Sequence, residues 1–425
     1  MSEKKLSVVV CDDSDDAASD WADVIRDLLG EDAKVETPAP TELLEILARR
    51  QRILREEDPP PIEYGSIFDE ADIIFLDYDL LDVDEDSYIT GQELAYLVRC
   101  YSSCGLIVVM NEGEVVGRPT FELRLETPID HFADLRISST HLGNPGLWSD
   151  DFIGYRPWAW PILSKEVASF AARVEIVRER LDESVLETLK LNDLSDWLSQ
   201  RAVEALGIRG SLKQLTEITF QDVVAPGSTL GIRSKDVLDG SQIPRVAAAR
   251  VSRWLKSLVL PAQDPFIDAP HLVSRFPSLI ERWREISGWN KTATLTSDLT
   301  ALGLGHTPVS DSVIDLSPWN DHALWLWSSV RENRDIPEVS DPWGSEQGPV
   351  VFLEDLSQFI RRDAALGFAS QVPSMHDIRF VLATNTSGAA RLLKREKKRA
   401  KARGVEWDPC DPTSVTPYPS TLLAE

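Results

Sequence analysis

The sequence predicts an α/β fold: a doubly wound parallel sheet in the amino-terminal part, followed by a mostly helical second domain. Three observations carry that prediction. Apolar runs at 6–11 (LSVVVC), 72–77 (DIIFLD) and 106–110 (LIVVM) show no polar alternation, the mark of strands buried on both faces. Helical patterns lie between those runs, and strands alternating with helices build βαβ units. The first run is followed directly by Asp12 and Asp13 and the second ends in Asp77, which places acidic residues at strand ends. Crossovers in such sheets are right-handed, so the carboxy ends of the strands gather along one edge, where ligands bind.

The elements follow in order. After the first strand, Ala18, Trp21, Val24, Ile25, Leu28 and Leu29 recur at three- and four-residue steps, and Gly30 stops the helix. Thr41 is the expected cap of a second helix carrying Leu43, Leu44, Ile46 and Leu47. Pro59, Pro60 and Pro61 break the chain in a stiff loop. A helix is predicted over 90–99 (TGQELAYLVR), with Leu94, Leu97 and Val98 on one side. The stretch 115–151 reads as irregular apart from a strand at 121–125, and 152–157 (FIGYRP) reads as the sheet's last strand. From Ser164 a helical stripe runs through Val167, Phe170, Ala171, Val174, Val177 and Leu181.

These patterns set an α/β domain at 1–163, a linking helix at 164–190, a mostly helical, tryptophan-rich domain at 191–405 and a proline-containing tail at 406–425. Helical faces at 194–206, 246–260 and 272–286 support the third segment, with short strands at 350–353 and 378–383.

Composition narrows the function. The chain carries 44 Lys+Arg against 70 Asp+Glu, a net charge of −26, so its field repels phosphate-rich partners. Neither DNA nor a membrane is an expected partner, and no winged helix or other DNA-reading pattern stands out. No run approaches the ~20 apolar residues that cross a bilayer, and Met1 to Ser7 holds no apolar signal core. Cys11, Cys100, Cys104 and Cys410 lack zinc-like spacing, so they read as reduced thiols. The expectation is a soluble cytoplasmic protein.

The chemistry-bearing residues are Asp12, Asp13 and Asp77, at the ends of two buried strands. Three carboxylates on one sheet edge form a hard-oxygen site of the kind Mg²⁺ takes, since that ion needs only one or two carboxylates besides water and phosphate. An aspartate there can also accept a phosphoryl group covalently.

The strand end Cys11-Asp12-Asp13, the segment Phe75-Leu76-Asp77-Tyr78-Asp79-Leu80, and Thr90-Gly91-Gln92-Glu93-Leu94 followed by Arg99 resemble the receiver domain of bacterial response regulators. The resemblance covers residues 6 to about 175. It implies that Asp12 and Asp13 hold Mg²⁺, that Asp77 is the phosphoacceptor, and that a histidine kinase is the donor. The family ends its fourth strand in Ser or Thr, where this chain offers Met110 and Asn111. It also keeps a Lys-Pro on the fifth strand; the nearest match here is Arg156-Pro157, with Lys165 as a stand-in. The 64 residues from Asp13 to Asp77 are long for the family, so the Pro59–Pro61 region reads as an insertion, as does the acidic run Asp82, Asp84, Glu85 and Asp86.

The expected function is therefore response-regulator-like signalling, with a partner-binding module in the second half and homo-oligomerisation open. One alternative is a degenerate receiver acting as a phosphate sink or scaffold in a stress or phage-defence pathway. Another is a haloacid-dehalogenase-like phosphohydrolase, because Asp77-Tyr78-Asp79 resembles that family's first motif. Elsewhere, His306, Asp311, Asp315 and His322 read as loop and cap residues, and Trp319, Trp325 and Trp327 as core. The basic run 391–403 (RLLKREKKRAKAR) reads as a solvated helix or a dock for an acidic partner.

Overall fold

The computed structural model describes residues 5–39, 42–55, 64–84, 87–111, 133–138, 142–143, 145–149, 162–194, 198, 202–203, 206, 212–224, 240–260, 266–294, 296–337, 350–353, 356–368, 379–382, 394 and 398. They fall into two compact units. Residues Met1–Glu114, Glu126–Trp148 and Pro161–Leu255 form the first, and Val115–Leu125, Ser149–Trp160 and Lys256–Glu425 the second. The expected boundaries at 163 and 190 thus lie inside the first unit.

In the first unit the apolar runs become strands β1 (Leu6–Cys11), β3 (Ile73–Asp77) and β6 (Leu106–Asn111). Two further strands, β2 (Ala33–Glu36) and β7 (Leu135–Ser138), complete an all-parallel sheet in the order β2-β1-β3-β6-β7. Val8, Val9, Val10, Ile73 to Leu76 and Ile107 to Met110 have no exposed surface, as central strands covered on both faces require. Among the described residues the sheet's last strand is Leu135–Ser138, inside the stretch read as irregular; the segments predicted as strands at 121–125 and 152–157 lie outside the described residues.

Helix α1 (Asp15–Leu29) starts at Ser14, whose side chain accepts from the Ala17 amide, and stops at Gly30, where φ is 59°. Ala18, Trp21, Ala22 and Ile25 form its buried face. Ser14→Ala should cost about 1 kcal/mol, the usual value of such a cap, read as a small drop in the thermal midpoint. Helix α2 (Leu43–Arg55) follows β2, and the short α3 (Ile67–Glu70) precedes β3. After β3 comes an antiparallel hairpin, β4 (Asp79–Asp84) and β5 (Ser87–Thr90), built from the acidic insertion. Helix α4 (Gly91–Tyr101) then leads back to β6. Because β2 and β3 lie on opposite sides of β1, right-handed crossovers put α1 on one face and α2 on the other. Helix α5 (Leu163–Glu179), predicted as a linker, packs within this unit against α8 (Ile243–Trp254), with α6 (Val185–Thr188) and α7 (Phe220–Val224) between them in the chain.

The stretch read as mostly helical, 191–405, spans both units: it supplies α8 in the first, while in the second, among the described residues, helices are short and strands supply two sheets. One has the order β8 (Phe266–Asp268), β10 (Leu324–Leu326), β9 (Val313–Ile314). The other has the order β12 (Gln358–Arg361), β11 (Val350–Leu353), β14 (Arg379–Leu382), β13 (Ala365–Phe368). The strands read at 350–353 and 378–383 are present as β11 and β14. Trp289 and Trp325 are fully buried in its core, and each indole N–H is satisfied by a backbone carbonyl, Trp283 and Val309 respectively. Trp319 is buried too, and Trp327 packs beside Phe276. Asp315 bonds the Ser317 amide in its own loop. Among the described residues no helix is long and apolar enough to cross a membrane.

Candidate metal centre

Strand register builds the site. Cys11 of β1 pairs with Leu76 of β3, so the next residues, Asp12 and Asp77, leave adjacent parallel strands at the same edge. Asp12, Asp13 and Asp77 can bring one carboxylate oxygen each within 4.8 Å of the others. Asp12 and Asp77 are buried, and Asp13 is half-buried.

Electrostatics follow from the crowding. Burial pushes the Asp12 carboxyl up to about 7. The Ser14 amide, donating to its Oδ1 at 2.7 Å, works against that rise, while Asp77 and Asp13 add to it. Without a cation the cluster therefore holds a proton near neutrality. The neighbouring Cys11 thiol is also pushed up, mainly by burial, so it offers no thiolate at pH 7.

Backbone supports the edge from two sides. Helix α4 begins so close to β3 that a Cβ at Gly91 would stand 2.0 Å from the Asp77 carbonyl oxygen. The Gly91 amide donates to the Tyr78 carbonyl at 2.8 Å, and the Tyr78 amide to Met110 at 2.6 Å. The amino ends of α1 and α4 both lie at this edge, and their dipoles favour negative charge there.

The donor set fits a hard divalent cation, since every donor is a carboxylate oxygen and three carboxylates are within reach of one ion. Zinc-type ligands are absent from the cluster, whose members are all carboxylates.

The remaining expected residues fall variously. Asn111 ends β6 at the same edge, its backbone in register with Ser138, the last residue of β7. Arg156 lies outside the described residues. Lys165 sits exposed in the first turn of α5. Asp77-Tyr78-Asp79 follows the third strand of the chain rather than the first, and Asp79 opens β4. Sequence reasoning missed Ser138, because the run LRIS is too short and mixed to announce a strand. It also missed Gly91 as a packing residue, since nothing local marks a close approach of backbones. No protein-family model matches the chain, and no curated protein matches it.

Proposed function

We propose that the first unit is a receiver-like phosphoacceptor module, with Asp12 and Asp13 as the cation residues and Asp77 as the acceptor. The observation that carries this reading is the convergence of the three carboxylates at the ends of two adjacent parallel strands. The strand order agrees with it. An order of second, first, third, fourth, fifth is the flavodoxin-like arrangement, whose ligands sit at the β1/β3 switch point.

Asp77 would act through its ionised carboxylate. One oxygen attacks phosphorus, and the bond from phosphorus to the donor breaks, its electron pair leaving with the donor. A phosphohistidine of a kinase or a small acyl phosphate meets that requirement. Bound Mg²⁺ supplies charge neutralisation for the incoming phosphoryl oxygens. Burial of Asp77 keeps competing water away from the acceptor. The second unit would then serve as the partner-binding module.

A second reading has its own observation. The strand beside β6 ends at Ser138, so the fifth-strand position where the resemblance expects lysine carries a serine. A serine brings no cation to a phosphoryl group. The module would then bind a cation without switching, as a phosphate sink or scaffold.

Thermal melts separate these. Mg²⁺ at a hundredfold excess over Kd should add about 2.7 kcal/mol to wild type. Beryllofluoride, a phosphoryl mimic, should stabilise wild type further and leave Asp77→Asn unaffected. Stabilisation by Mg²⁺ with no beryllofluoride response selects the scaffold reading. No response to Mg²⁺ removes both.

A further inference from the structure

We infer that helix α4 links the acidic cluster to α8, so that cation occupancy at the cluster is felt in the helical layer of residues 163–255. The inference rests on the cation reading above and extends it to a built-in responder. The amino end of α4 lies against the site, with Gly91 close to the Asp77 carbonyl. Its 11 residues span roughly 16 Å at 1.5 Å each, which carries it to the opposite edge of the sheet.

At that far end the chain turns through Ser102, Ser103 and Cys104 into β6. Ser103 is gripped from both sides. Its amide donates to Asp69 Oδ1 at 3.1 Å and its hydroxyl to the Asp69 carbonyl at 3.0 Å. Arg49 of α2 holds Asp69 through two bonds, at 2.9 and 2.8 Å, and also donates to the Tyr101 carbonyl at 3.0 Å. From the other side, Arg245 of α8 donates to the Ser103 carbonyl at 2.5 Å. Two turns along α8, Arg253 donates to the Ala133 carbonyl at 3.1 Å, just ahead of β7. The helix expected as a linker, α5, thus meets the sheet together with a second helix that carries two arginine anchors.

The anchors are stiff for a physical reason. Arg245 is half-buried, its guanidinium 5.6 Å from the Phe170 ring, while Arg99 lies 4.7 Å from the same ring. Burial, and the nearby Arg99 and Arg178, hold its pKa below the ordinary arginine range. A cation so placed does not exchange its acceptor for water cheaply. When Ser103 moves, α8 moves with it.

Hydrogen exchange on the full chain, with and without Mg²⁺, tests this, alongside calorimetry of Mg²⁺ binding. In wild type Mg²⁺ should slow exchange about tenfold in both 91–101 and 243–254. In Arg245→Met, which fills the space without burying a charge, the slowing should persist at 91–101 and vanish at 243–254. Arg245→Lys keeps the charge with a single donor, and should give an intermediate response should the Met variant not fold. Full slowing of 243–254 in Arg245→Met would overturn the link, because the effect would then be global stabilisation. So would wild type that binds Mg²⁺ with no change at 243–254. Absence of any binding heat removes the cation reading and this inference with it.

Discussion

Gly91→Ala is expected to destabilise the first unit by about 3 kcal/mol, the upper end of ordinary overpacking costs. The new Cβ would meet the Asp77 carbonyl oxygen at 2.0 Å, the Asp77 carbonyl carbon at 2.9 Å and Tyr78 Cα at 3.0 Å. All three are backbone atoms of the central strand's end, so no side-chain rotation relieves the clash. Either α4 retreats, breaking the Gly91 to Tyr78 hydrogen bond, or β3 bends at the residue that carries the acceptor carboxylate. Gly105→Ala provides the matched control. Its Cβ would stand 2.1 Å from the Asp72 carbonyl oxygen, the same crowding at the start of β3 rather than its end. Urea unfolding should show comparable losses for both variants. Mg²⁺ affinity should fall only for Gly91→Ala, since only that clash displaces Asp77. Equal loss of affinity in both would mean that the measured effect is stability and not site geometry.

The contrast between Gly91 and Asp77 shows what a reader of the sequence meets. Strands β1, β3 and β6 are legible because central strands of a parallel sheet bury both faces, which forces unbroken apolar runs. The aspartates that end or directly follow two of those runs were legible for the same reason: charge directly after such a run marks an exit at the sheet's edge. Strands β2 (AKVE) and β7 (LRIS) are edge strands of four residues, and Lys34 of β2 is exposed. Both alternate apolar and polar residues, but four residues give too few repeats of that alternation to announce a strand. The expected fifth-strand residue, Arg156, is read from an Arg-Pro dipeptide and lies outside the described residues. In the second unit the strands run from two to four residues, as in FID and LWL, too short to show any period. Long-range backbone events, such as Gly91 against Asp77 or Arg245 on Ser103, are set by tertiary packing and have no local signature.

Asp12→Asn should make the cation-free protein more stable at pH 8, by a few kcal/mol. The folded carboxyl is raised from 3.8 to about 7, by burial first and then by Asp77 and Asp13. A raised carboxyl means that, between about pH 4 and 7, the native state holds a proton the unfolded chain has released. Stability then falls as pH rises through that window and levels off above about 7. Each pH unit is worth about 1.4 kcal/mol, so the full cost approaches roughly 4 kcal/mol, shared among the interacting carboxylates. An asparagine carries no such charge, and the variant should lose this part of the slope. Mg²⁺ reverses the ranking. It must displace the proton to bind, so its affinity should be weaker at pH 6 than at pH 8, with proton release on binding near neutrality. At pH 8 with saturating Mg²⁺ wild type should recover the lost stability, and Asp12→Asn, short of one charged ligand, should recover much less. Urea unfolding at pH 5 and pH 8, with Mg²⁺ or with chelator, reads all four conditions. A variant less stable than wild type at pH 8 in chelator would show that Asp12 is held by favourable bonds, such as that from the Ser14 amide, more than it is strained by crowding.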